Sequence, residues 1–248
     1  MCQRDRHKII QPDLVIAAGF SYQVITAHNG CLQIELTVHG KMAHAAVPHT
    51  GIDALQGANR ILTALYAQNT LYQSITSKVE GITHPYLNVG FIAGGTNTNV
   101  VPGKVVLKLD RRMIPEEDPV AVEADIRAVI DAAVAGFNQG RTDEGIHVDV
   151  RRLLLSKALK PLPGHEPLAE ALQRHASAVF NEPILACGTP LYTDVRIFGE
   201  AGIPGVLYGA GPRTVLESHA KRADERLALE DLRRATKVIA RTLRDLLT

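Results

Sequence analysis

Apolar and polar positions along this chain recur with periods that name its elements. From Cys31, the run CLQIELTVHG sets Leu32, Ile34, Leu36 and Val38 against Gln33, Glu35, Thr37 and His39, the period of two expected of a strand with one buried face. Residues 52–68 place Ala54, Leu55, Ala58, Ile61, Leu62 and Leu65 on one stripe at helical spacing. YLNVGFIAG at 86–94 and KVVLKLDRR at 104–112 read as two more strands, separated by the turn-forming GGTNTNVVPG. A second helix is expected from near Pro119, with Val122, Ile126, Val129, Ile130 and Ala133 inward. After a polar loop through Arg141 to Gly145, IHVDVRRLL resumes the alternation of a strand.

From Cys31 to about Leu154 the order is therefore strand, helix, strand, strand, helix, strand, the split βαβ order of a ferredoxin-like domain. The flanks read differently. Residues 13–18 predict a short buried strand, and a second extended stretch runs to Asn29-Gly30, a dipeptide that favours a turn. Beyond residue 155 come a helix at 165–180, a glycine-punctuated stretch at 186–211 and a helix at 227–247 with Leu229, Leu232, Ala235, Ile239, Leu243 and Leu246 on one side. These flanks supply too few elements for an independent α/β layer fold. The expected organisation is α/β: a remnant of one domain at 1–30, an inserted α+β, ferredoxin-like βαββαβ domain at 31–155, and the later part of the interrupted domain at 156–248.

Composition narrows the partners. Lysine and arginine number 27 against 26 acidic residues, a formal charge of +1, so nothing in the balance calls for nucleic acid or an anionic membrane surface. Three scattered cysteines, Cys2, Cys31 and Cys187, fit a reducing compartment better than a disulfide framework. The apolar run Leu14–Ala18 is too short for a signal peptide or a membrane span, and a cytoplasmic location is expected.

Four segments could carry chemistry. In GKMAHAAVPHTGIDA, His44 and His49 sit in a loop among small residues, which let a ligand or another chain come close; two solvated loop histidines are the plain alternative. In GGTNTNVVPG, the Asn97 and Asn99 amides can donate to a substrate oxygen, or the segment is only a loop with turn chemistry. LDRRMIP puts Asp110 and Arg112 on one strand face, where Arg112 can grip a carboxylate or simply pair with its neighbour. The segment from Gly188 to Leu232 combines Thr193-Asp194, a short helix, a strand from Gly205 and then Glu217-Ser218-His219. Asp224 and Glu225 beyond it also read as acids at a helix start.

Taken in order, these segments resemble the zinc-dependent family that includes acetylornithine deacetylase, succinyl-diaminopimelate desuccinylase, aminoacylase and related carboxypeptidases and dipeptidases. The resemblance runs from about residue 12 to the end, and GKMAHAAVP and GGTNTNVVP are its most specific parts. It implies that the ferredoxin-like section is a dimerisation, or lid, domain, and that His44 is a catalytic histidine sent into the other subunit's active site to stabilise an oxyanion. It implies substrate-binding roles for Asn99, Arg112, Thr193, Asp194 and Arg196, with Arg112 on the free carboxylate of a small substrate. It makes His219 the last metal ligand of an enzyme that uses zinc or cobalt. The implied activity is hydrolysis of amide bonds in N-acyl amino acids or small peptides.

The chain departs from that pattern where the family places its first metal ligands. There is no counterpart ahead of the ferredoxin-like section to the H-x-D motif, the bridging aspartate or the Glu-Glu pair, and Ala17, Ala18, Gly19 and Phe20 stand where a further carboxylate ligand is expected. One histidine cannot hold two zincs, because such sites need about three or four ligands per metal. The expectation is thus a truncated, inactive fragment that does not bind zinc stoichiometrically and forms a homodimer through residues 31–155. Two other classes stay open: a non-catalytic dimeric binding or regulatory protein derived from the lid, and an unrelated small-ligand sensor built on the same fold.

Overall fold

The computed structural model describes residues 11–214 and 216–248; Cys2 lies outside the described residues. In chain order the strands are β1 (Val15–Ala17), β2 (Val24–His28), β3 (Gly30–His39), β4 (Ala43–His44), β5 (Tyr86–Gly94), β6 (Val100–Val101), β7 (Lys104–Met113), β8 (His147–Ser156), β9 (Ala186–Thr189) and β10 (Gly205–Leu207). The helices are α1 (Ala54–Tyr72), α2 (Pro119–Asn138), α3 (Glu166–Phe180), α4 (Val195–Glu200) and α5 (Leu229–Leu247). They fall into two units. One gathers the chain up to Asn29, Lys78–Ile82 and Lys157–Thr248; the other gathers Gly30–Ser77 and Thr83–Ser156.

The second unit is an antiparallel sheet in the order β5-β7-β3-β8, with α1 and α2 on one face. This is the ferredoxin-like arrangement. Alternation in β3 sends Ile34, Leu36 and Val38 inward, where they meet Ala58, Ile61 and Leu65 of α1, Leu107 and Leu109 of β7, and Ile126 and Ile130 of α2. Both helices start at an aspartate cap. Asp53 accepts from the Leu55 and Gln56 amides at 2.8 and 3.1 Å, and Asp118, followed by Pro119, accepts from Val120 and Ala121 at 3.0 and 2.9 Å. The α1 stripe differs from the expected one: Ala54, Ala58, Ile61 and Leu65 face the sheet, while Leu55, a third of a turn away, is exposed.

The first unit has a sheet in the order β1-β10-β2-β9, in which β1 lies parallel to β10, β10 antiparallel to β2, and β2 parallel to β9. α3 and α5 enclose a core of Val24, Leu168, Leu172, Phe180, Val206, Tyr208, Ala235 and Val238, and a smaller cluster joins Ile25, Leu159 and Leu207 to Val195 of α4. The segment Lys78–Ile82, expected within the middle domain, belongs to this unit: Glu80 accepts from the Gly188 amide at 2.7 Å.

Two further expectations are corrected. Asn29-Gly30 forms no turn; Asn29 is fully buried, its amide donates to Thr189 at 3.2 Å, and β3 begins at the next residue. Here tertiary pairing overrides a local preference. On α5 the inward stripe is Asp231, Ala235, Val238 and Thr242, whereas Leu229 and Leu232 are exposed. Tyr22 donates to Asp231 at 2.7 Å, which draws a carboxylate inward and turns those leucines out. No described helix is long and apolar enough to cross a membrane.

Leu36 is fully buried and Leu229 is 80% exposed. Leu36→Ala should therefore lower the unfolding free energy by about 2–5 kcal/mol, and Leu229→Ala by less than about 0.5 kcal/mol, in urea titrations. Equal effects would contradict the packing described.

Candidate functional site

In the second unit, β4 and β6 pair antiparallel, with His44 opposite Val100, and the Ala45 amide donates to the Asn99 carbonyl at 2.9 Å. His44 and Asn99 thereby come together on an exposed tip beyond the ends of β3 and β7. His44 Nδ1 accepts from the Ala46 amide at 3.1 Å, so the ring is oriented by its own turn. The tip is braced by Lys41 and Ile52, which exchange amide hydrogen bonds of 2.8 and 2.9 Å. Gly40 permits this approach, since a β-carbon there would sit 2.1 Å from the Ile52 carbonyl oxygen. His49 lies in the same exposed loop, within a short 3-10 turn.

Arg112 lies elsewhere in the same unit. It sits near the end of β7 opposite Cys31, eight residues from Lys104, so the strand carries it about 26 Å from the His44 end of the sheet. Arg112 Nε donates to Asp110 at 2.6 Å, and Asp110 also accepts from Gln33 at 3.0 Å and lies 3.4 Å from the Cys31 thiol. Burial, reinforced by the Asp110 charge, pushes the Cys31 thiol up to about 12. On the other face, Arg111 is 1% exposed; it bonds Glu117 at 2.5 Å and stacks on the Tyr72 ring at 3.9 Å. No motif had singled out Arg111.

The remaining expected residues lie in the first unit. Thr193 and Asp194 lead into α4, where Asp194 is exposed and Arg196 pairs with Glu200 at 3.1 Å. His28, at the end of β2, is fully buried. Its Nδ1 donates to the Asn29 carbonyl at 2.8 Å. Burial lowers its affinity for a proton; the Asn29 and Thr193 carbonyls work against this, while the Arg196 charge adds to it. The neutral imidazole is therefore favoured.

His219 occupies a left-handed backbone position, φ 54°, in the segment before α5. Its Nδ1 donates to Asp224 at 2.5 Å, and Arg226 Nη2 stands 3.3 Å from Nε2. A carboxylate on one ring nitrogen, with the other turned towards a cation, is the orientation used by metal-bound histidines. Asp224 and Glu225 do not cap α5, whose first turn carries Glu230 and Asp231; Glu225 accepts instead from the Lys221 amide at 3.1 Å.

Among the described residues no three His, Cys, Asp or Glu side chains come together as a metal ion would require, so these residues do not fit a two-metal centre. An H-x-D triplet does occur at His147–Asp149, but inside the second unit. There His147 stacks on His39 at 4.5 Å between ring centres, and Asp149 bonds His39 Nε2 at 2.9 Å. The pair Glu116-Glu117 is engaged likewise: Glu116 accepts from Ser77 at 3.1 Å and Glu117 from the Ile114 amide at 2.9 Å.

Comparison with known proteins fits this geometry. Residues 26–137 match the peptidase dimerisation domain. Beyond that stretch, the chain is similar to proteins named as deacetylases and metallohydrolases. It is 27% identical over 246 residues to acetylornithine deacetylase of Myxococcus xanthus, covering 97% of this chain and 57% of that protein. It is 27% identical over 239 residues to an uncharacterized metallohydrolase of Methanococcus maripaludis, covering 90% and 54%. The crystal structure of an M20 family metallo-carboxypeptidase from Sulfolobus solfataricus superposes with a TM-score of 0.72 over 97% of this chain and 65% of that one; at 16% identity this shows the fold. The chain spans about half the length of these curated relatives.

His28 generates a test of stability against pH. Unfolding frees its ring to take up a proton near pH ~6.5, which the buried ring resists, so stability present above that pH is lost as pH falls through it. Between about pH 7.5 and about pH 5.5 the urea midpoint should drop less in His28→Gln than in the parent chain. An unchanged drop would remove His28 as a source of acid lability. For Cys31, the high thiol pKa predicts little alkylation by iodoacetamide in the folded chain at neutral pH, checked by mass spectrometry.

Proposed function

We propose that this chain is the lid and the later catalytic portion of a metal-dependent hydrolase acting on amide bonds of N-acyl amino acids or small peptides. The observation that carries this reading is the placement of His44 beside Asn99 on an exposed tip, at the opposite end of the sheet from Arg112. A tip so far from the anchoring arginine of its own unit serves a site on another molecule. The chain then works as a homodimer in which each copy presents His44 and Asn99 to the other; Arg112 in the second unit and Thr193, Asp194 and Arg196 in the first are its candidates for substrate binding. The Nε2–H of His44 would donate to the developing oxyanion, and Arg112 would hold the substrate's carboxylate in place of part of its partnership with Asp110.

His219, held by Asp224 through Nδ1, is the ligand this chain would contribute to a metal centre of zinc or cobalt. The described residues supply no complete centre, so no hydrolytic step is assigned to them alone. The expected behaviour of the purified chain is a particle of twice the 26.9 kDa chain mass by light scattering, with no zinc-dependent hydrolysis of N-acetyl amino acids. A monomer would remove the dimeric site; reproducible metal-dependent turnover would show that the centre is complete after all.

A further inference from the structure

We propose that the outer face of α5 docks an amphipathic helix of another polypeptide, one whose apolar stripe is flanked by acidic side chains. Helix α5 carries two stripes of its own. Ala235 and Val238 are buried in the core of the first unit, with Asp231 and Thr242 on the same side. Away from that core, Leu229, Leu232, Thr236, Ala240, Leu243 and Leu247 recur every three or four residues, which aligns them along one side of the helix. All six are exposed, Leu229 and Leu247 to 80%. Leucines scattered singly over a surface need no explanation, but a continuous line of them marks a contact face. A helix that is apolar on two sides is normally covered on both.

The charges beside the stripe select the partner. On its flank, a groove of about 380 Å³ is lined by Glu230, Arg233, Arg234 and Lys237 of α5 and by Val179 of α3. Glu230 binds Arg233 at 3.0 Å and Arg234 at 2.8 Å, one carboxylate for two guanidinium groups. Lys237 has no ion pair among the described residues. The groove therefore carries three cations against one carboxylate, directly beside the leucines. Acidic side chains along the partner's stripe answer that excess, as charges flanking the apolar seam do in paired helices. A second copy of α5 does not supply them. Laid antiparallel, two copies turn their basic flanks on each other; laid parallel, each basic flank meets the apolar flank of Ile239 and Leu246.

The proposal does not depend on the hydrolase reading, and its test uses neither turnover nor metal. Two fluorescent synthetic peptides of about three heptads carry leucine at the a and d positions, one with glutamate and the other with lysine at e and g. Like charges keep each peptide from pairing with itself. The full chain is added to each and fluorescence anisotropy is followed. The glutamate peptide should bind saturably, one per chain, and about tenfold or more tightly than the lysine peptide. Leu232→Ser combined with Leu243→Ser should abolish binding while the urea midpoint stays close to that of the parent, since both side chains are exposed. Arg233→Glu combined with Lys237→Glu should reverse the preference towards the lysine peptide. Equal affinity for the two peptides, or none for either, would overturn the proposal. A particle mass that falls on Leu232→Ser with Leu243→Ser would overturn it by giving the face to a second copy. Co-sedimentation of the parent chain with phosphatidylserine vesicles, lost in that same variant, would overturn it by giving the face to a lipid surface.

Discussion

The second unit depends on β3, a ten-residue strand hydrogen-bonded along both edges. It pairs with β7 from Gly30 opposite Met113 to His39 opposite Lys104, and with β8 from Cys31 opposite Ser156 to His39 opposite His147. Because its even-numbered residues fill the core, a one-residue slip would turn Ile34, Leu36 and Val38 out to solvent and draw Gln33, Glu35 and Thr37 in. The register is therefore fixed, and with it every position on the sheet. Asp110, Arg112 and Cys31 are locked at one end, and the loops carrying His44 and Asn99 spring from the other.

Much of this was legible in the residues. Strict alternation in CLQIELTVHG and KVVLKLDRR, and the aspartates ahead of α1 and α2, state strand, helix and boundary within a few positions. Signals failed where distant parts of the chain decide the outcome. Asn29-Gly30 has the chemistry of a turn, yet the Thr189 carbonyl holds Asn29 extended. The leucines of α5 have the spacing of a buried side, yet the bond from Tyr22 to Asp231 draws a different stripe inward.

The candidate site divides in the same way. The motif residues His44, Asn99 and Arg112 were readable because their surroundings carry glycines, prolines and strand alternation. Their separation was not, since sequence spacing does not say that a strand will hold two of them at opposite ends. His28 carried no signal at all: a single histidine at the end of an extended stretch reads like any other, and only burial beside Arg196 and Thr193 distinguishes it. Arg111 and Glu117 were hidden too, because a buried arginine in an otherwise alternating strand looks like a polar residue out of step until Tyr72 and Glu117 are seen around it.

The two units differ in how far apart in the chain their partners lie. β3 and β7 belong to one stretch of chain, but in the first unit Val24 is paired with Ala186 and Val15 with Gly205. During synthesis, the complete ferredoxin-like unit can close while the ribosome still holds the segments that must flank β2. Until those segments emerge, Val24 and Ile25, both fully buried in the finished molecule, lack their strand partners. The strands of the ferredoxin-like unit are thus all in hand before β2 has its partners, and until those partners arrive β2 is an unfinished sheet edge.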